Sequence, residues 1–436
     1  MSDTVNEKDL RTNSNKYNKN TDNNQLIHEE ISAIENYAII REAFENGRAK
    51  DICLEPKKTG PAFILGSGAS LDLALPKLKN WKGGIVCTTS HALSLMYYGI
   101  EPDYIIALDP FCCWDEIAGV DWSKTKTKLV TTPTVWPTLI KNWPNEIILY
   151  LQNNGKRDSF YATTLKRMYS IRKPSEGSTS IRDGIFNHMA RTEIILFACS
   201  PAMQLFIANI LGYSPIFTAG CDFAYTFDKN RFSDYTIKDG VWTKNDHPLE
   251  ETLKDIEEYN KRTDIEQKRL LIKTVNGLLS EEVHVYYKKN FYSAWRLSET
   301  DLFSTDYGAC IELPHADIDE VILNNKWPEP ISKQEIARIS EEYLASISCF
   351  VIESNGGKNF VEVNNIEPDL LNYITSLNRI YKCSICGASL TASDDINHHN
   401  TECPVCHDKE GLKKMVDIDV QGNMDRVKSR LKAVTK

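Results

Sequence analysis

The stretch Pro61-Ala-Phe-Ile-Leu-Gly-Ser-Gly-Ala-Ser-Leu-Asp72 constrains the fold more than any other in the chain. Ala62 to Leu65 form an unbroken apolar run of the kind found in a strand buried on both faces of a parallel sheet. The run stops at Gly66-Ser-Gly68, where the backbone is free to turn sharply, and a leucine-rich segment follows. The unit then repeats: Gly84 to Thr88 predicts a second strand, Ala92 to Tyr98 a helix closed by Gly99, and Tyr104 to Leu108 a third strand ending at Asp109-Pro110. Alternating strands and helices at this spacing specify an α/β fold, a Rossmann-like doubly wound sheet with mainly parallel strands and right-handed crossovers.

Ligands of such sheets sit at the carboxyl ends of the strands. Three polar clusters fall there: Gly66-Ser-Gly68 with Ser70, Thr88-Thr89-Ser90, and Asp109. Ser67, Ser70 and the N–H groups opening the next helix can face a phosphate. The same residues also suit an ordinary strand-to-helix turn capped by Ser70. Asp109 reads either as a ribose- or metal-binding carboxylate or as the cap of its strand.

Further strands are predicted at Lys128 to Thr131, Ile147 to Leu151 and Ile216 to Gly220, the last running into Cys221-Asp-Phe-Ala-Tyr-Thr226; before it, the Gly/Ser/Thr-rich loop Ser175 to Ser180 leads into the stretch Ile194 to Ser200. Helical spacing recurs over 28–47, 203–211, 245–259, 265–279 and 332–350, while 282–312 mixes short strands with aromatic residues. The resulting domain plan is a disordered tail over 1–27, a Rossmann-like nucleotide-binding domain with its N-terminal helix over 28–330, a helical linker over 331–375, and a zinc ribbon with a C-terminal tail over 376–436. The tail is assigned from its Asn, Lys, Asp, Thr and Ser content, which buries too little apolar surface to offset ordering.

A hydrophobic content of 42% and a net charge of −9 describe a globular chain without a global basic surface, so no nucleic-acid partner is expected. No apolar window of membrane-spanning length and no basic-then-apolar leader is present, so a cytoplasmic location without a membrane span is expected. Of twelve cysteines, four form Cys383-Ser-Ile-Cys386 and Cys403-Pro-Val-Cys406, two knuckles separated by sixteen residues. Each places two thiolates on one face of a tetrahedron, which points to a closed, structural Zn²⁺ whose binding energy folds the segment. His398, His399 and His407 lie beside this set.

His247, preceded by Asp246 and opening a predicted helix, suits a general base and equally a helix cap. Tyr225, Tyr235 and Arg231 can hydrogen-bond a phosphate or remain surface residues of a loop.

Taken in order, Gly66-Ser-Gly-Ala-Ser-Leu-Asp72, Ser90-His-Ala-Leu93, Gly99-Ile-Glu-Pro-Asp103, Ala107-Leu-Asp109, Leu211-Gly-Tyr213 and Ala219-Gly-Cys-Asp-Phe-Ala-Tyr-Thr226 resemble the family named for hydroxymethylpterin pyrophosphokinase. That family also includes the motility-associated factor (Maf) flagellin glycosyltransferases, and the matching blocks run from about 55 to 260. In the Maf branch the resemblance implies transfer of a nonulosonic, sialic-like sugar from cytidine monophosphate (CMP) to a hydroxyl such as a protein Ser or Thr. It implies a nucleotide site of Gly66, Ser67, Gly68, Ser70, Thr88, Thr89, Ser90, Asp109, Gly220 and Arg231, with His247 as base and Tyr225 and Asp222 as catalytic companions. In the pterin branch it implies ATP and Mg²⁺, with pyrophosphate moved to a hydroxymethylpterin. A binding or scaffold protein that kept the sheet without turnover is the third expectation.

Overall fold

The computed structural model describes residues 21–153 apart from 110, 185–262 apart from 191 and 196, 269–335 apart from 270, 275, 276, 299, 311 and 333, and separate strands at 170–173, 352–354, 357–359, 379–383, 389–392 and 412–414. Two compact units divide the chain, one within Met1–Arg269 and Leu278–Ser340, the other within Leu270–Gly277 and Glu341–Lys436.

Eight strands of the first unit form one sheet: β1 (Ala49–Asp51), β2 (Ala62–Leu65), β3 (Gly84–Thr88), β4 (Tyr104–Ala107), β5 (Lys128–Thr131), β6 (Ile147–Leu149), β7 (Ile216–Ala219) and β8 (Leu302–Ser304). Their order is β1-β6-β5-β4-β3-β2-β7-β8, and every neighbouring pair is parallel. Ala62 to Leu65 and Ile216 to Ala219 are wholly buried, as the apolar runs require of strands covered on both faces. Phe63, Phe217 and Phe303 stand side by side in one register across β2, β7 and β8, with ring centroids 5.3 and 5.5 Å apart.

The flanking helices are α1 (Thr21–Glu45), α2 (Leu71–Leu78), α3 (Thr89–Tyr97), α4 (Pro137–Asn142), α5 (Ser200–Leu211), α6 (Leu249–Lys261), α7 (Glu282–Leu297) and α8 (Ile318–Asn324). α1 docks through the buried Asn36, whose side-chain N–H groups donate to the carbonyls of Pro133 and Val135 at 2.9 and 2.7 Å. From α5 the buried Gln204 accepts from the Leu65 N–H at 3.0 Å and donates to the Leu65 carbonyl at 2.6 Å, completing the end of β2. No helix among the described residues is long and apolar enough to cross a membrane.

Several elements differ from the sequence reading. α1 begins at Thr21, inside the span expected to be a tail, and residues 1–20 lie outside the described ones. The helix expected from Asn245 begins only at Leu249, because Pro248 fits a helix entrance better than a helix interior and Val241–Asn245 pairs with Asp234–Lys238 as a hairpin. Where 265–279 reads as helical, Leu271–Lys273 and Leu279–Glu281 are strands. The helix lies instead at α7, in a span read as strands and aromatics, where packing against α5 outweighs the strand preference of Val and Tyr.

In the second unit Arg379–Cys383 is the central strand of a three-stranded antiparallel sheet, flanked by Ser389–Ala392 and Leu412–Lys414. Cys386, Cys403 and Cys406 lie outside the described residues, as do His398, His399 and His407 and most of the helical linker expected over 331–375; within that span Ile352–Ser354 and Gly357–Asn359 are strands that pair antiparallel, where a helix was expected.

Candidate functional site

The chain lays β2 to β6 in one direction across the sheet, then returns to place β7 and β8 on the other side of β2. β2 and β7 are therefore neighbours whose chains continue to opposite sides of the sheet, the place at whose carboxyl end a doubly wound sheet takes its ligand. At the switch point the loops leaving these two strands are pressed together. The Gly66 N–H donates to the Ala219 carbonyl at 2.8 Å and the Gly68 N–H to the Gly220 carbonyl at 2.7 Å. A Cβ at Gly66 would lie 2.1 Å from the Gly220 oxygen, and Gly220 itself sits at φ +77°. The glycines are thus demanded first by this loop-on-loop approach, rather than by space for a ligand.

Two buried carboxyl groups lock the approach. Asp222 accepts from the Ser70 N–H at 2.9 Å, from the Thr226 hydroxyl at 2.7 Å and from the Ser70 hydroxyl. Asp306, just past β8, accepts from the Gly220 N–H and from the hydroxyls of Thr218 and Ser304. The Ser70 hydroxyl lies 3.4 Å from Asp306, so it spans both carboxyls. Burial, followed by the neighbouring Asp222 charge, pushes the Asp306 carboxyl well above the usual range, and burial raises Asp222 as well. Each carboxyl thus resists ionisation in its buried place, and the Asp222 charge adds to the resistance of Asp306. Ser70 and Asp222, both expected in the site, face this inner bracing, and Cys221 beside them is a buried thiol kept protonated by desolvation.

Outside the bracing an exposed polar rim follows the ends of three adjacent strands: Ser67 after β2, Ser90 after β3 and Asp109 after β4. Buried His91 ties the first two together. Its Nδ1 receives the Thr88 N–H at 3.3 Å and faces the Thr88 hydroxyl at 2.9 Å, so the ring proton resides on Nε2, which meets Ser67 Oγ at 3.1 Å. With its oxygen accepting from His91, the Ser67 hydroxyl is left to donate outward. Burial, with the Arg231 guanidinium second, pushes the His91 pKa down to about 3 and keeps the ring neutral. Thr88 and His91 form a capping box at the start of α3, and Thr89 turns inward to Glu116 and Cys112. Asp109 accepts from the Phe111 N–H at 2.8 Å.

Arg231 arrives from the loop after β7. The Phe232 N–H donates to the Ser67 carbonyl at 3.1 Å, and the Phe232 ring stacks on His91 with centroids 5.4 Å apart. The Arg231 guanidinium lies 5.3 Å from the Phe232 centroid, which sets a cation beside the Ser67 turn. His247 is carried by the same structure. Its carbonyl accepts from the Asn230 N–H at 2.9 Å, and its Nε2 is bonded to the Asp234 carboxylate, which also accepts from Asn245 at 3.2 Å. The hairpin bearing Asp234 and Tyr235 is pinned to α3: the Tyr235 N–H donates to Ser94 Oγ at 3.0 Å and its ring stacks on Tyr97 at 3.7 Å. An imidazole with one nitrogen held by a carboxylate presents the other as a proton acceptor. Tyr225 takes another direction, donating its buried hydroxyl to Glu281, which receives the Arg269 guanidinium through two bonds of 2.8 and 2.7 Å.

Ser67, Gly68, Ser90 and Asp109 thus follow the ends of adjacent strands, Arg231 sits on the loop after β7 that bonds to the Ser67 turn, and His247 bonds to Asn230 of that same loop, while Ser70, Asp222 and Tyr225 brace the loops from within. Sequence reasoning missed Asp234, His91, Asp306 and the Glu281–Arg269 pair. A signal existed for His91, three residues after Thr88 at a helix start; the other partners lie too far along the chain to be read locally.

Fold and site together define a doubly wound α/β protein whose ligand edge is the switch point between β2 and β7. Residues 33–197 match the family described as 6-hydroxymethylpterin diphosphokinase MptE-like, a span that carries β1 to β6 and ends before Arg231 and His247. Among solved structures, that of the Maf glycosyltransferase from Magnetospirillum magneticum AMB-1 aligns at 12% identity and TM-score 0.39, over 73% of this chain and 42% of that one. This chain accordingly spans less than half the length of that glycosyltransferase. No curated protein matches.

Proposed function

We propose that the protein is a transferase with a nucleotide-bound donor, a Maf-like glycosyltransferase that moves a nonulosonic sugar from CMP to a hydroxyl acceptor. The observation that carries this reading is the His247–Asp234 pair held on the same loop system that sets Arg231 against the Ser67 turn. Ser67 and Arg231 receive the donor phosphate, while Ser90 and Asp109 hold the nucleoside with Thr88 and Thr89 shaping the turn beneath. Asp234 fixes the His247 ring so that Nδ1 takes the acceptor hydroxyl proton. The acceptor oxygen then bonds to the anomeric carbon as its bond to the phosphate oxygen breaks, and CMP leaves with that electron pair. Charge grows on the departing phosphate, where Arg231 and the Ser67 hydroxyl stand ready, so positioning and fixed charge supply most of the acceleration.

The diphosphokinase reading is favoured by the family description of residues 33–197. It requires Mg²⁺ held by converging free carboxylates. Asp222 and Asp306 are committed inward, and among the described residues no three His, Cys, Asp or Glu side chains gather as a metal site. A scaffold without turnover is separated by His247→Ala: transfer from CMP-N-acetylneuraminic acid to hydroxyl acceptors should fall about 10²- to 10⁴-fold with the melting temperature unchanged. Stabilisation of the protein by ATP with Mg²⁺ alone, and not by cytidine nucleotides, would overturn the glycosyltransferase reading in favour of the kinase.

For the second unit we propose a structural Zn²⁺ on Cys383, Cys386, Cys403 and Cys406. Cys383 closing the central strand of a small antiparallel sheet is compatible with such a ribbon.

A further inference from the structure

Two large aromatic rings stand exposed and in contact past the ends of β7 and β8. Phe227 is 52% exposed and Tyr307 57%, with centroids 5.9 Å apart and planes at 74°. Each is fixed by its backbone. The Lys229 N–H donates to the Thr226 carbonyl at 3.0 Å, and the two residues between, Phe227 and Asp228, have φ of 55° and 53°. This is a type I′ turn, whose central positions favour Asn and Gly. A bulky aromatic side chain at positive φ is an outlier, and here the strained ring is also held in water. Tyr307 lies between the buried Asp306 and Gly308, where a Cβ would come within 2.2 Å of Asp222. The Ala309 N–H donates to the Asp222 carbonyl at 2.6 Å, so this loop too is clamped to the bracing under the ligand edge.

We infer that Phe227 and Tyr307 form the subsite for a pyranose ring, an inference that rests on the glycosyl-transfer reading. The rings meet as a corner, not a slot. A puckered ring lays its C–H face on one aromatic face, whose electron density is negative, and its edge against the other. Its hydroxyls then point toward the polar rim of the corner, where Asp228 follows Phe227 and His315 lies 6.0 Å from the Tyr307 ring, both exposed. An apolar floor with a few polar groups around it is how such ligands are held. The corner also stands on the His247 side of the site: the Leu249 N–H donates to the Asp228 carbonyl at 2.9 Å, and Lys229 pairs with Pro248. The ring beside the proton acceptor belongs either to the sugar being transferred or to a sugar that accepts it.

Calorimetric titration of the full chain tests this with Phe227→Asn, which relieves the turn, and Tyr307→Ala. The probes are CMP, CMP-N-acetylneuraminic acid and lactose. The expected wild-type protein binds the CMP-sugar at least tenfold more tightly than CMP; both variants lose that advantage yet bind CMP as before, and Phe227→Asn melts no lower than wild type. Loss confined to lactose binding instead assigns the corner to the accepting sugar. Unchanged binding of all three probes by both variants overturns the subsite and leaves the nucleotide reading standing, and so does a selective loss of CMP binding, which would give the rings to the base. A wild-type protein that binds neither CMP nor CMP-sugar overturns the nucleotide reading, and the subsite falls with it.

Discussion

Asp306 shows how a buried side chain, silent in the sequence, governs the edge where ligands are expected. Its carboxyl pKa is raised above the ordinary 3.8 by burial and by Asp222, so the native protein keeps a proton that the unfolded chain releases. Stability contributed at low pH is therefore lost as pH rises above 3.8 toward the raised native value. Asp306→Asn keeps an acceptor for the Gly220 N–H and cannot ionise. Its urea midpoint relative to wild type should therefore climb between about pH 4 and neutrality. Parallel profiles for the two proteins across that range would show that the Asp306 carboxyl ionises in the native protein as it does in the unfolded chain. The places of Ser67, Ser90, Asp109 and His247 were legible because each sits at an element boundary that the sequence marks. Asp234 and Asp306 were not, because their roles come from partners 13 and 86 residues away. The Gly66 and Gly220 turns were legible as glycines, but the need for them lies in each other.

Among the elements, β2, β7 and β8 carry the switch point, and the Phe63–Phe217–Phe303 row is what pins their register. Trp81 and Trp327 close on Phe217 edge-on at 6.1 and 5.4 Å. Removing the middle ring leaves a cavity at the centre of this row, so Phe217→Ala should cost about 3–5 kcal/mol in urea unfolding. A loss below about 1 kcal/mol would mean the row does not bear on the switch point's stability. Elements were legible where an apolar run ended at a glycine or a polar cap, as for β2, β3, β4, α5 and β7. They were misread where tertiary packing decided: α7 is a helix despite its Val and Tyr content, and the hairpin before α6 exists because its second strand finds the first and its aromatic rings find α3.

Across the whole molecule the composition foretold a globular chain and the strand–turn–helix repeat foretold the sheet, whereas the strand order, and with it the switch point, depends on a crossover from β6 to β7 that no local pattern encodes. The four-cysteine arrangement gives a separate expectation for the second unit: metal analysis of purified protein should find one Zn²⁺ per chain, lost on replacing Cys403 with Ser, and a metal-free wild-type chain would contradict it. The most direct measurement on the molecule as a whole is calorimetric titration of CMP into wild-type protein and into Arg231→Ala. Saturable binding by wild type, weakened about ten- to a hundredfold in the variant as expected for loss of a charge-assisted phosphate contact, is the predicted result. Equal affinity in the two proteins, or no binding to either, would contradict a phosphate site at the Ser67 turn.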